Sequence, residues 1–276
     1  MMSFVPCRSA VRRALGEGAT ALALALTAVA PTVVAAQEAP PPSSGVELIQ
    51  RMHDRGDQGW FRTLTFVQRT TQHRPDSADR VSTWYEAVLA PDRLRIDMGD
   101  LADRNGVLYT ADSMYVVRGG LVTRTSGEGN PFLPFVVGVY MQPVERTLRQ
   151  LSPLGIDMSL LRSDEWRERP VYVVGARDAR DVVSPQFWVD AERLALVRMV
   201  LTASGAGGGR AYDIHLDDYV LVGGGWLATK VVMYSGGAAR QTEEYSDWRA
   251  GVALPEEFFA AESWTRVPHW AAAHER

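Results

Sequence analysis

Three groups of carboxylates have the types and spacing that acid–base or metal chemistry needs. Asp213, His215 and Asp217 fall at every second position of RAYDIHLDDYVLV (210–222), so a strand there would present all three on one face. An imidazole between carboxylates suits zinc, and a metal-dependent hydrolase centred on this trio is one reading. The other is a solvated strand face opposite Ile214, Leu216 and Val220. Glu243, Glu244 and Asp247 lie in AARQTEEYSDW (238–248). Carboxylate-pair catalysis needs a set separation across a cleft, which spacing along one strand does not supply. Charges placed this way suit an edge strand that repels a second sheet. Asp190 and Glu192, in SPQFWVDAERLALVRMVL (184–201), read as an acid pair or as the turn of a hairpin. Asp190-Ala191-Glu192-Arg193 puts Asp first in a type I turn, where its side chain can accept from the backbone two residues on, and this favours the hairpin.

No G-x-S-x-G, S-x-x-K or H-E-x-x-H motif occurs. Gly205-Ala206-Gly207-Gly208-Gly209 resembles a phosphate loop in composition only. It stands between two strands, without the helix N-terminus that holds phosphate, and reads as a hairpin loop. His53, His73, His269 and His274 have no partner that spacing assigns.

The amino-terminal segment predicts export. Arg8, Arg12 and Arg13 precede an apolar run from Ala21 to Ala30, and Val34-Ala35-Ala36 offers small residues for cleavage. Residues 1–36 read as a signal peptide cut after Ala36, which places the chain in the periplasm. Cys7, the only cysteine, lies within that segment, so the expected mature chain has neither disulfides nor thiolate chemistry. Three Arg and one Glu lie there too, and losing them moves the formal net charge from −4 to −6. That balance argues against a nucleic-acid partner.

Residues 37–44 (QEAPPPSS) form a Pro-rich linker. Ser44-Gly45-Val46-Glu47 then matches a capping box, and Val46, Leu48, Ile49 and Met52 give a helical stripe that Gly56 ends. From Phe61 the apolar period changes to two. Eleven or so strands follow, separated by short turns such as Pro91-Asp92 and Asn105-Gly106, which implies an antiparallel meander. The apolar NPFLPFVVGVYM (130–141), broken by Pro131, Pro134 and Gly138, opens a helical insertion reaching Leu161. The expected fold is mainly β: one large curved antiparallel sheet, an incomplete β-barrel, spanning residues 45–262. The N-terminal helix and the insertion cover its concave face, and residues 263–276 form a tail.

The hairpin around Asp190 is apolar on both faces. Phe187 and Val189 oppose Trp188, while Val197, Met199 and Leu201 oppose Leu194, Leu196 and Val200. Two apolar faces require a covering layer, a ligand or both. The many methionines, Met98 and Met233 among them, offer adaptable surface. A cavity for an acyl chain needs wall area and no motif, since each buried methylene contributes about 0.8 kcal/mol. Trp84, Leu94, Ile96, Phe132, Phe135, Val139, Phe187, Val197 and Met199 are the candidate lining.

The order of elements resembles the LolA-type outer-membrane lipoprotein-sorting family. The resemblance runs over roughly residues 45–260 and rests on FVQRT, WYEAVLAPDRLRIDM, NGVLYTADSMYVVRGGLVTR, NPFLPFVV, the RPVYVVGA…FWVDAERLALVRMVLT hairpin and LPEEFF. It implies an unclosed antiparallel barrel capped by helices, a lipid or acylated lipoprotein as partner, no cofactor and no catalysis. A sensing module of the same architecture, passing a signal to an envelope membrane protein, is the alternative role.

Overall fold

The computed structural model describes residues 40–56, 59–203 and 210–273. The expected signal peptide with its cleavage site, the start of the linker, Gly205–Gly209 and His274 lie outside the described residues. Among the described residues no helix is long and apolar enough to cross a membrane.

Thirteen strands form one antiparallel sheet, in the order β6-β5-β4-β3-β2-β1-β13-β12-β11-β10-β9-β8-β7. The first half comprises β1 (Thr63–Gln72), β2 (Arg80–Leu89), β3 (Arg93–Met98), β4 (Gly106–Tyr109), β5 (Met114–Arg118) and β6 (Leu121–Ser126). The second half comprises β7 (Leu161–Trp166), β8 (Arg169–Val174), β9 (Gln186–Asp190), β10 (Leu196–Ala203), β11 (Arg210–Val222), β12 (Gly225–Ser235) and β13 (Ala238–Ala250). Each half is a meander, and β1 joins them by pairing with β13, Leu64 opposite Ala250 and Gln72 opposite Gln241. The edge strands β6 and β7 do not pair, so the sheet stays open. Both edge strands are mostly polar and β6 is almost wholly exposed, which leaves them little alternation to read, and their charged and hydroxyl side chains discourage pairing with other chains.

The final strand corrects an expectation. β13 was expected at an edge because of Glu243, Glu244 and Asp247, yet it is flanked by β1 and β12 near the middle of the sheet. Its charges are disposed individually. Glu244 reaches Arg69 across the strand pair at 2.8 Å, Asp247 takes a left-handed conformation, and Glu243 is buried.

Among the described residues three α-helices pack on one face of the sheet: α1 (Gly45–Gly56), α2 (Val139–Met141) and α3 (Val144–Leu151). The Ser44 hydroxyl accepts from the Glu47 N–H at 3.2 Å, as the capping box predicts. Glu47 answers one residue earlier than expected, accepting from the Ser43 N–H and hydroxyl, both at 2.8 Å. Those bonds and Arg51 hold its carboxyl down at about 2. α1 buries Leu48, Ile49 and Met52. Its end lies so close to the insertion that a Cβ on Gly56 would stand 1.9 Å from the Tyr140 carbonyl oxygen. The insertion opens with Asn130, whose side chain accepts from the Phe132 and Leu133 N–H groups, and continues through a π-helical stretch, Pro134–Gly138, into α2.

On the opposite face the chain after β13 folds back over β2–β5. Phe258, Phe259, Ala261 and Trp264 pack with Ala87, Leu89, Leu108 and Val117. Buried Arg95 lies between the rings of Phe258 and Trp264, donates to both their carbonyls and is paired with Asp97. The residues beyond 262 that the sequence suggests as a tail therefore include a buried tryptophan and His269, which bonds Asp97 at 3.1 Å.

Candidate binding cavity

The carboxylate groups that the sequence offers for chemistry are mostly committed to neighbours. Asp190 Oδ1 accepts from the Glu192 and Arg193 N–H groups at 3.0 and 2.8 Å, and Oδ2 accepts from Arg169 at 2.5 Å. Glu192 reaches the same guanidinium at 2.8 Å. Burial works to raise the Asp190 carboxyl, but Arg169 and the two N–H groups outweigh it and hold the carboxyl low. These are a hairpin's bonds. Asp213 is gripped bidentately by Arg198 at 2.7 and 2.8 Å and touched by His215 at 3.1 Å, while Asp217 pairs with Arg167. The trio does share a face, as the spacing predicts. That face is a half-buried ledge of ion pairs and rings, with Trp166 4.9 Å from His215, rather than a fully solvated surface. No group of three or more His, Cys, Asp or Glu able to hold a metal occurs among the described residues.

The feature that remains is a cavity of about 360 Å³ between the sheet and residues 130–137 of the insertion. That size falls in the range of small-molecule sites. Leu64 and Phe66 of β1, Trp84 and Val88 of β2, Leu94, Ile96 and Met98 of β3 and Tyr109 of β4 supply one wall. β12 contributes Leu227, Val231 and Met233, and β13 contributes Tyr245 and Trp248. Phe132, Leu133, Val136 and Val137 cover it. The cavity thus spans the seam between the two halves of the sheet.

Of the nine candidate lining residues, Trp84, Leu94, Ile96 and Phe132 stand together in this cavity. Phe135, Val139, Phe187 and Met199 instead belong to the helix-covered core over β8–β12, where the Phe135 and Phe187 rings lie 4.8 Å apart. What lies against Phe187 and Met199 is therefore a helix layer. Val197 packs on the other face of the sheet with Val171, Val173 and Trp188. The cause is a register irregularity between Leu196 and Arg198, where β10 pairs with β9. One extra residue inverts the side-chain parity beyond it, so Leu196 joins Met199 inside and Val197 turns outward.

Sequence patterning missed the polar floor of the cavity. Gln68, Glu86, Gln241 and Glu243 all line it, on three adjacent strands. Glu243 is held at both oxygens, by the Tyr245 hydroxyl and the Gln241 amide, each at 2.5 Å. Glu86 is 4% exposed, and its Oε1 is buried without a hydrogen-bond partner. Burial, reinforced by the charge of Glu243, pushes the Glu86 carboxyl well above the usual range. Burial also raises Glu243, against the hydrogen bonds from Tyr245, Gln241 and Gln68. The signal was present in the inward parity, where Trp84-x-Glu86-x-Val88 and Leu64-x-Phe66-x-Gln68 each set one polar residue among apolar ones.

No protein-family model and no curated protein sequence matches the chain. Solved structures do share its fold. A LolA superfamily protein from Nitrosomonas europaea superposes with a TM-score of 0.50 at 13% identity, over 77% of this chain and 97% of that one. A DUF1329 family protein from Desulfovibrio piger gives 0.54 at 16% identity, over 80% and 98%. A domain described as an outer membrane lipoprotein-sorting protein, from Vibrio parahaemolyticus, gives 0.50 at 14% identity, over 80% and 97%. The likeness of fold agrees with the resemblance drawn from the order of strands and turns.

Proposed function

We propose that this chain is a lipid- or lipoprotein-binding protein of the periplasm that holds an acyl chain in the cavity between β1–β4, β12–β13 and residues 130–137. The observation that carries this reading is the cavity itself, walled by aliphatic, aromatic and methionine side chains and covered by a short segment. Methionine and aromatic walls adapt to chains of different length, and burial of methylenes supplies affinity without a motif. The lipoprotein-sorting description of the Vibrio parahaemolyticus domain agrees with a cargo of this kind. Asp190, Asp213 and Asp217 are committed to arginines, which favours binding over hydrolysis.

The test is native mass spectrometry of the mature protein purified from its own periplasm, compared with Phe132→Glu. Wild type is expected to carry lipid. The variant places a charge in the cover of the cavity, where Phe132 is only partly buried, and is expected to lose it. Absence of any bound lipid or acylated peptide from wild type, before and after incubation with envelope lipid extract, would end the proposal.

A further inference from the structure

Resting on that reading, the polar floor of the cavity says more about the cargo. An apolar cavity that only held hydrocarbon would gain nothing from two buried acids, and each one costs desolvation. Each oxygen of Glu243 accepts a hydrogen bond, from Tyr245 and Gln241. Glu86, beside it in the cavity wall, has Oε1 buried and unpartnered. Among the described residues no arginine, lysine or histidine lines this cavity. The rings of Phe66, Trp84, Tyr245 and Trp248 line the same cavity, and the π-face of an aromatic ring attracts a cation.

We infer that the cavity selects an amphiphile with a protonated amine head, its ammonium pairing with the Glu86 carboxyl group and its apolar chain lying along β3 and beneath residues 132–137. An ammonium carries three donors and a full charge, so it supplies both the missing partner and the missing counter-charge. An anionic head would meet two carboxyls and no cation. A neutral hydroxyl head would satisfy the bond without the charge.

The experiment titrates the mature protein with dodecylamine, dodecanol and dodecanoate below their aggregation concentrations, following tryptophan fluorescence, since Trp84 and Trp248 line the cavity. The amine should bind about ten- to a hundredfold more tightly than the alcohol, the range a charge-assisted hydrogen bond supplies. The carboxylate should bind most weakly. Glu86→Gln should abolish the preference for the amine, with a circular dichroism spectrum and cooperative unfolding like those of wild type reporting that the variant is folded. If Glu86→Gln fails to fold, Glu243→Gln takes its place and should reduce the same preference. Equal affinity for amine and alcohol, or a preference for the carboxylate, overturns the head-group assignment and leaves the lipid reading standing. An amine preference that survives Glu86→Gln overturns the role of Glu86. Failure of all three chains to bind overturns the lipid reading and this one together.

Discussion

If Glu86 is held for a ligand, removing its carboxyl group should make the empty protein more stable. In Glu86→Met a thioether of similar length replaces a carboxyl whose Oε1 has neither solvent nor partner. Leaving a buried polar atom unsatisfied costs about 1–3 kcal/mol, and that is the expected gain at neutral pH. For a chain of this size the gain corresponds to a rise in Tm of about 2–4 °C per kcal/mol. The pH dependence has a definite sign. The folded-state carboxyl lies above its unfolded value, so the folded protein binds more protons once pH exceeds the unfolded pKa of about 4.5. Wild type therefore loses stability relative to the variant as pH rises from about 4.5 towards the folded-state value, and the difference between them is smallest in acid. Urea unfolding of both proteins over a pH series measures this difference directly. The comparison cancels groups shifted the other way, such as Asp213, which burial raises but His215 and Arg198 bring down to about 2. A variant less stable than wild type at neutral pH, or a difference that does not change with pH, would refute the picture of an uncompensated acid.

Three further outcomes follow from the packing. Gly56→Ala should lower stability by about 2 kcal/mol in thermal unfolding, because the clash with the Tyr140 carbonyl exceeds the gain in helix propensity; an unchanged Tm would mean that α1 does not rest on the insertion so closely. Asp190→Ala should cost about 3 kcal/mol, since it frees two turn N–H groups and half of the Arg169 pairing. Asp190→Asn keeps a turn acceptor and should cost less. Its deficit against wild type should begin to shrink as pH falls below about 4 and disappear only below the lowered folded-state value, because a carboxyl held low stabilises above its unfolded pKa and loses that effect on protonation.

The inner strands were legible because each sets apolar residues at alternate positions against a covered face. The helix caps and the Asp190 turn were legible because their bonds are local. β6 and β7 were not, since an edge strand that is mostly polar carries little period. β13 was misplaced for a related reason: charge in a strand reads as an edge signal, although here it marks the floor of a cavity in the middle of the sheet. Within the candidate site, Trp84, Leu94, Ile96 and Phe132 were found from apolar parity. Phe135, Val139, Phe187 and Met199 share that parity but lie under helices, and periodicity does not distinguish wall from core. Val197 failed because a single extra residue in β10 reverses parity without changing composition.

The pairing of β1 with β13 also sets an order of assembly. Leu64 meets Ala250 and Thr70 meets Glu243, so the central seam joins residues more than half the chain apart. Each meander can zip by short hairpins, but the seam waits for residues 241–250, near the end of the chain, and such distant contacts form slowly. The cavity straddles that seam, with Glu86 on one side and Glu243 on the other. A nascent or half-folded chain therefore has hydrophobic walls but no acid pair, and the site that discriminates among ligands comes into being only with the last strand.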